Sequence, residues 1–517
     1  MFAAKRGQAG FTPDFAGSTM RDDRKVLLVQ PPTRAVTPRP PLGLMYISAC
    51  LTRAGIDNDI IDIKARNAKE AAGVKGRILR AIGEANTDII GITCLVTEVE
   101  SVMELCREIR KLKPAALIVL GGAQPTTHPE HFVEAADSID YLVIGEGEVT
   151  FTELVKACRE SGHPDAAHGN IRKVDGLAWF EGDSIRMSGR RELIADLDSL
   201  PMPAYDKVDM GFYTMPTSWG MRPVLLSLFW IFSSRGCPFR CRYCVAHEIF
   251  GRRVRKRSPQ NVLDEIEHLV GKYRIDGIYF YDESFTLDKQ RVIAICSGIR
   301  GRKLRLAMGC QTRVDLVSDD LVRAMAEAGF MQIDFGVESG SDRLLKDIRK
   351  DITAAQVRNA FAICARRRVR TFANMMVNLP GETSEDIEMS VALMKEIRPN
   401  VVIWNVTVPY PGSFLDRKLS RDDYKVLQTY PSEEAFTLLD RKYRFAAHSE
   451  SIMALLDRLY DVFPHPRYAR LKLDAGYIRR WLRFFDFLFD RRYLGILLRS
   501  GRKLQYLKRA FSQPLHN

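Results

Sequence analysis

Three thiols carry the chemistry of this chain. Cys237, Cys241 and Cys244 stand in the segment Ser-Ser-Arg-Gly-Cys-Pro-Phe-Arg-Cys-Arg-Tyr-Cys, residues 233–244. Thiolates spaced this tightly converge on one soft metal centre, and iron–sulfur clusters are held by thiolates. Four cysteines would fill a 4Fe–4S cluster; three leave one iron open to a substrate or cofactor. Gly236 and Pro238 predict a loop. The apolar run before it, residues 223–232, predicts a buried strand. The thiols then stand at a strand's C-terminal end, where α/β barrels keep their reacting groups. Three buried structural cysteines, or a zinc site short of one ligand, are the competing readings. The Gly-Cys-Pro turn after a strand, with an aromatic residue before the last Cys, favours the cluster.

The elements that must hold this loop follow it in regular alternation. Strands are predicted at 277–281, 304–311, 332–337, 371–378 and 401–408, with helices at 258–273, 290–299, 318–328, 354–367 and 384–397. Ser258-Pro259 is a helix start, and Gly329 a helix stop. Ser318 and Ser384 read as caps. Polar or glycine residues recur at the strand ends: Glu283, Arg313, Glu338-Ser339, Pro380-Gly381 and Tyr410. With the strand before the thiols this makes a partial (β/α)6 barrel over residues 221–415, its site on the C-terminal face. Carboxylates there suit an ammonium, and Arg, Ser and backbone N–H groups suit a carboxylate.

Residues 24–160 form a second α/β unit. Strands at 25–30, 60–63, 89–93, 117–120 and 141–144 alternate with helices at 43–54, 78–85 and 99–111, which implies βαβ units and a parallel sheet. The strand ends carry Thr93, Val96 and Thr97; Gly121, Gly122 and Gln124; and Gly145, Glu146, Gly147 and Glu148. Such ends are where these sheets bind ligands. Glycine lets a flat or bulky ligand approach the backbone. No G-x-G-x-x-G follows the first strand, so a dinucleotide site is not supported. Residues 161–220 read as a linker with a small hairpin at 176–187.

Composition sets the outer bounds. The 517 residues are 46% hydrophobic and 27% charged, as in a globular protein of two to four domains. Of ten cysteines, seven are scattered through core-like segments, which is not a secreted disulfide framework and points to a reducing compartment. Residues 1–23 read as a disordered leader without a secretory apolar region. No stretch predicts a membrane-spanning helix. The net charge is +13. Much of it lies in 416–517, a helical extension where Arg479, Arg480, Arg483, Arg491, Arg492 and Arg499 interleave with Trp481, Phe484, Phe485, Phe487 and Phe489. Two readings stand level there: helices packed on the barrel with a solvated basic face, or a face for an anionic membrane. No nucleic-acid motif appears, so nucleic acid is not favoured.

Taken with its setting, the thiol segment resembles the radical SAM superfamily. In that family three cysteines ligate a 4Fe–4S cluster, S-adenosyl-L-methionine chelates the open iron, and the aromatic before the third Cys lies against adenine. The resemblance gives these roles to Cys237, Cys241, Cys244 and Tyr243. It places Glu283 at the amino group of S-adenosyl-L-methionine and Arg313 at its carboxylate. It places Glu338 and Ser339 of GVESG near ribose and carboxylate, and Pro380 and Gly381 of NLPGET near adenine. Tyr410 of PYPGS then faces cobalamin or substrate. The runs LLVQPP, PPLGLMYISACL, GGAQPTTHPE and GEGEVTFTEL ahead of this core resemble the cobalamin-binding class. That implies a Rossmann-like domain holding cobalamin with the loop residues named above. No Asp-x-His-x-x-Gly occurs in 24–160, and Gln124 stands where many relatives carry His, so the lower face of cobalt is left unassigned. His128 nearby reads as a surface residue.

The implied activity is methylation of an unactivated carbon of a small or lipid-like substrate through a 5′-deoxyadenosyl radical. An external donor such as flavodoxin or ferredoxin supplies the electron. The rivals are a non-methylating cyclase or rearrangement enzyme of the same class, and a non-catalytic cobalamin or redox sensor. A cytoplasmic protein, peripheral on the inner membrane face if the tail binds lipid, is expected.

Overall fold

Aliphatic runs build the first sheet. The computed structural model describes residues 24–32, 39–65, 68–161, 164–218, 220–416, 420–428, 433–463 and 475–500. Strand β1 (Lys25–Val29) buries Val26, Leu27, Leu28 and Val29, because helices cover both faces of a parallel sheet. β2 (Asn58–Ile61), β3 (Thr87–Thr93), β4 (Leu117–Gly121) and β5 (Tyr141–Val143) lie parallel to it in the order β2-β1-β3-β4-β5. The order reverses between β1 and β3, and the crevice at such a switch point is where ligands bind.

The predicted hairpin belongs to this sheet. β6 (Leu177–Glu181) pairs antiparallel with β5, and β7 (Ser184–Met187) pairs with β6. Leu177 and Ala178 are buried against the first domain's core, so the hairpin closes the sheet's edge rather than serving as linkage alone.

The second sheet opens with β8 (Leu228–Ile231), shorter than the apolar run around it. Pro223 has no N–H to give a ladder, and Leu226 turns away to bridge Thr217. A two-residue pair, β9 (Ser234–Arg235) with β10 (Arg255–Lys256), brackets the thiol loop. β11 (Gly277–Phe280), β12 (Ala307–Thr312), β13 (Phe330–Glu338), β14 (Arg370–Val377) and β15 (Val401–Val406) complete six parallel strands, in the order β15-β14-β13-β12-β11-β8. This is the expected partial barrel. Ser258 caps the helix Pro259–Tyr273, and Gly329, at φ 110°, ends Asp319–Ala328. The cap before Ser384–Ile397 is Thr383, in a reciprocal box with Asp386, rather than Ser384.

The last described segment of the tail, residues 475–500, docks under the barrel at the end opposite the thiols, whereas Ile452–Val462 packs beside β15. Helices Ala475–Phe484 and Arg491–Arg499, with the 3-10 turn Asp486–Phe489 between them, bury Phe484, Phe487, Tyr493 and Ile496 there. Arg492 donates to the carbonyls of Phe330 and Arg368, and Arg370 pairs with Asp486. Their outward face is apolar as well as basic: Leu482, Phe489 and Leu498 are 64%, 83% and 72% exposed. Among the described residues no helix is long and apolar enough to cross a membrane.

Candidate active site

The thiol loop leaves β8 through a carboxylate clasp. Asp282, fully buried after β11, accepts from the Ser233 N–H and from the Ser233 and Ser234 hydroxyls, each at 2.6 Å. Gly236 has φ 101°, and a Cβ there would sit 2.4 Å from the Arg253 carbonyl, so the turn admits only glycine. The Cys237 N–H donates to Gly251, and the Arg242 N–H to Ile348. Cys237, Cys241 and Cys244 are half-buried, while the other seven cysteines are buried. Burial pushes the Cys244 thiol up to about 11 and raises that of Cys237, so thiolate there needs a metal's charge. Among the described residues no three His, Cys, Asp or Glu side chains surround one point as a single metal ion requires. A cubane cluster instead takes its thiolates on separate irons, so its ligands need not converge on one point.

The strand-end residues converge on the same face. Tyr243 donates to Glu338 Oε1 at 2.9 Å. Glu283 has a buried Oε2 without a partner, and burial, then the neighbouring Asp282, pushes its carboxyl up to about 7. Arg313 grips Asp315 with Nε and Nη2 at 2.9 Å each, lies 3.7 Å over the Phe239 ring, and keeps a buried Nη1 unpartnered. Ser339 turns inward, where its hydroxyl accepts from the Ser341 N–H and meets Ser390. It braces the turn instead of facing the site. Gly381, tied to the Phe445 carbonyl, and Pro380 lie at the rim. Tyr410 is 47% exposed on the loop after β15, where Gly412 packs against Thr127 of the first domain.

A cavity of about 500 Å³ lies between the two domains. Thr93, Gly121, Gly122, Gly145, Glu146, Gly147 and Glu148 line one wall; Phe232, Arg235, Phe250 and Tyr281, beside the thiol loop, line the other. Three sequence candidates fall outside it. The 3-10 turn Val96–Glu98 carries Val96 and Thr97 away and leaves Leu95 facing the cavity. Gln124 is buried in the short helix Ala123–Thr127, its amide 2.7 Å from His131 Nδ1. His128 meets Asp416 at 3.0 Å, so it is half-buried at the seam rather than a free surface residue.

Glu146 and Glu148 face Arg235 and Arg255 across the seam. Arg235 bonds Glu146 Oε1 at 2.8 Å and Glu148 Oε1 at 2.6 Å; Arg255 bonds Glu146 Oε2 at 2.6 Å. All four side chains are under a tenth exposed. The glycine loop of the first domain is thereby latched to the residue two before Cys237.

Two family models match: the radical SAM superfamily over residues 231–394 and the B12 binding domain over residues 34–155. An uncharacterized methyltransferase of Pyrococcus horikoshii is 31% identical over 398 residues, 76% of this chain and 82% of that protein. The chain belongs to the radical SAM superfamily, in its B12-binding class. An anaerobic magnesium-protoporphyrin IX monomethyl ester cyclase of Cereibacter sphaeroides is 28% identical over 75% of this chain and 61% of its own length. The structure of the radical SAM methyltransferase TsrM from Kitasatospora setae, with cobalamin and a [4Fe-4S] cluster bound, shares the fold at TM-score 0.61 and 20% identity, covering 76% and 74% of the two chains.

As a radical SAM enzyme of this class the chain uses a 4Fe–4S cluster, S-adenosyl-L-methionine and cobalamin. The residues present fit all three. The half-buried thiol triplet suits a cluster with one open iron. The orphaned Glu283 oxygen and Arg313 Nη1 suit an ammonium and a carboxylate. Over Gly43 and Gly145 a Cβ would meet nothing within 4 Å, so at these two points the cavity wall is bare backbone that a broad flat ring can approach. Sequence reasoning missed Asp282, Arg235 and Lys350. Asp282 had a signal, a second acid at a strand end beside Glu283.

Proposed function

We propose that this radical SAM enzyme methylates an unactivated carbon of a small or lipid-like substrate. The shared cavity carries the reading: its far wall is formed by the residues flanking the thiol loop, so a corrin in it faces the radical site. Bound cofactors supply one-electron cleavage of S-adenosyl-L-methionine and a transferable methyl group. The chain's residues bind and orient. Cys237, Cys241 and Cys244 ligate; Glu283 takes the ammonium and Arg313 the carboxylate; Tyr243 with Glu338 frames the nucleoside; Tyr410, on the loop after β15, faces cobalamin or substrate. Phe232, Phe250 and Tyr281 exclude water from the seam. An external one-electron donor such as flavodoxin or ferredoxin belongs to this reading, and exposed Arg240, Arg252, Arg253 and Arg349 near the thiol loop suit its acidic surface.

Anaerobic reconstitution with iron, sulfide and hydroxocobalamin should give about four irons and one cobalt per chain. Label from [methyl-¹⁴C]S-adenosyl-L-methionine should then appear in product. 5′-Deoxyadenosine without label transfer would move the reading to a cyclase like that of the Cereibacter relative.

Glu283 adds a pH dependence. Its carboxyl, raised from 4.5 to about 7, holds a proton below that pH in the folded chain. The native state then binds the proton more tightly than the unfolded one, so the group's contribution to stability falls as pH rises from 4.5 to 7. Capture of an ammonium needs the ionised form and runs the other way. Affinity for S-adenosyl-L-methionine is expected to rise about tenfold from pH 6 to pH 8. Equilibrium dialysis on wild type and Glu283→Gln checks this; an equal slope in both would refute it.

The tail is read as a peripheral anchor. Its exposed apolar row is flanked by exposed Arg479, Arg491 and Arg499, which complement an anionic bilayer. Flotation with phosphatidylserine vesicles should retain the wild type. Leu482→Gln, Phe489→Gln and Leu498→Gln together should cut retention at least about tenfold. Wild-type protein left at the bottom of the gradient would sink the idea.

A further inference from the structure

Lys350 is buried beside the thiol loop, and none of the roles above uses it. Its ammonium lies 2.9 Å from Glu338 Oε1 and 3.3 Å from the Tyr243 hydroxyl. Only 6% of the residue is exposed. Tyr243 stands between Cys241 and Cys244 in the chain, so its contact with Lys350 sets the ammonium beside the thiol loop.

The backbone is bent to place this pair. Glu338 has φ 69°, and Arg349 and Asp351, on either side of Lys350, have φ 53° and 54°. Each is a side-chain-bearing residue in the left-handed region, which costs on the order of 1 kcal/mol. Strain of this kind persists where the surroundings enforce it, and it gathers at functional sites. Space is cleared too. A Cβ on Gly336 would fall 2.7 Å from Lys350 Nζ and 2.6 Å from Glu338 Oε1. Three left-handed residues and one glycine therefore hold a single cation. Stability alone does not account for this, because a buried ion pair is weak as a stabiliser once desolvation is counted.

We infer that the Lys350 ammonium, held in place by Glu338, sets the reduction potential of the cluster on Cys237, Cys241 and Cys244. The inference rests on the cluster reading of that triplet. One-electron reduction adds negative charge to the cluster. A fixed ammonium nearby in a half-dry site stabilises that added charge and raises the potential. Glu338 aims the ammonium and offsets part of its field.

The two members of the pair therefore predict shifts of opposite sign. In an EPR-monitored redox titration of the reconstituted full chain at pH 8, without S-adenosyl-L-methionine, Lys350→Met should lower the ratio of reduced to oxidised cluster at fixed poise about tenfold, equivalent to about 59 mV for one electron. Glu338→Gln should raise it, and Lys350→Arg should stay near wild type. A scaffold role would change iron content or melting temperature without this reversal. If one variant loses its cluster, the other still reads the sign. Unmoved ratios in iron-replete variants, or loss of iron from both, would overturn the inference. Wild-type protein without iron after reconstitution would overturn the cluster reading, and the inference with it.

Discussion

Cys241→Ala should leave the reconstituted protein nearly free of iron and unable to cleave S-adenosyl-L-methionine. Loss of an outer-shell support typically costs 10- to 100-fold in metal affinity; loss of one of three ligands should cost more than about 100-fold. The fold should survive. Cys241 is half-exposed on a loop whose path is set by Gly236, by the Asp282 clasp and by the bond from the Arg242 N–H to Ile348. The melting temperature of the apo form should thus stay within about 2 °C of wild type, under 1 kcal/mol for a domain of this size. Cys310→Ala is the informative contrast. Its thiol is fully buried in the barrel core, so truncation leaves a small cavity worth about 1 kcal/mol while iron content is kept. Iron assays on the two variants separate a ligand from a packing group. Equal iron in both would remove Cys241 from the site.

What the sequence disclosed was local. The thiol loop is legible because its ligands lie within eight residues and its turn needs Gly236. The parallel sheets are legible because helix-covered strands read as unbroken aliphatic runs. Long-range pairing is not legible. Arg235 meets Glu146 and Glu148 across 89 and 87 residues, and no spacing rule links them. Lys350 meets Tyr243 across 107 residues, from a turn whose sequence looks like an ordinary solvated helix end. Gln124 shows the opposite failure. Its place after a glycine pair pointed at the ligand, but the short helix that begins there swings the amide to His131. Val96 and Thr97 fail likewise, because a single turn decides which of three consecutive residues faces the cavity. The hairpin read as linkage because its partner strand is short and lies some distance back in the chain; only the pairing of Leu142 with Ala178 reveals it as sheet.

Arg235→Met should be the most damaging change outside the thiols. Methionine keeps much of the arginine's length and removes the charge, so Glu148 loses the partner at 2.6 Å while Glu146 keeps Arg255. A buried carboxylate stripped of its cation costs about 3–5 kcal/mol. For a domain of 150–250 residues that is a fall of about 10 °C in melting temperature. Cobalt retention should fall with it, because the latch joins the Gly145–Glu148 wall of the cavity to the wall that precedes Cys237. Adding Glu148→Met should recover much of the stability, since a buried ion pair replaced on both sides by apolar groups is often neutral. Cobalt retention should recover less, because the double variant packs without the two bonds that fix the register of the walls. Acid should loosen the same seam. Burial raises the Glu146 carboxyl, but bonds from Arg255 and Arg235 outweigh it and hold the group below its usual 4.5. Its contribution is therefore present above pH 4.5 and is lost as the pH falls through the lowered value. Thermal melts of wild type, single and double variants, each with cobalt assayed after desalting, measure both effects. A single variant as stable as wild type would show that the latch is not what joins the domains.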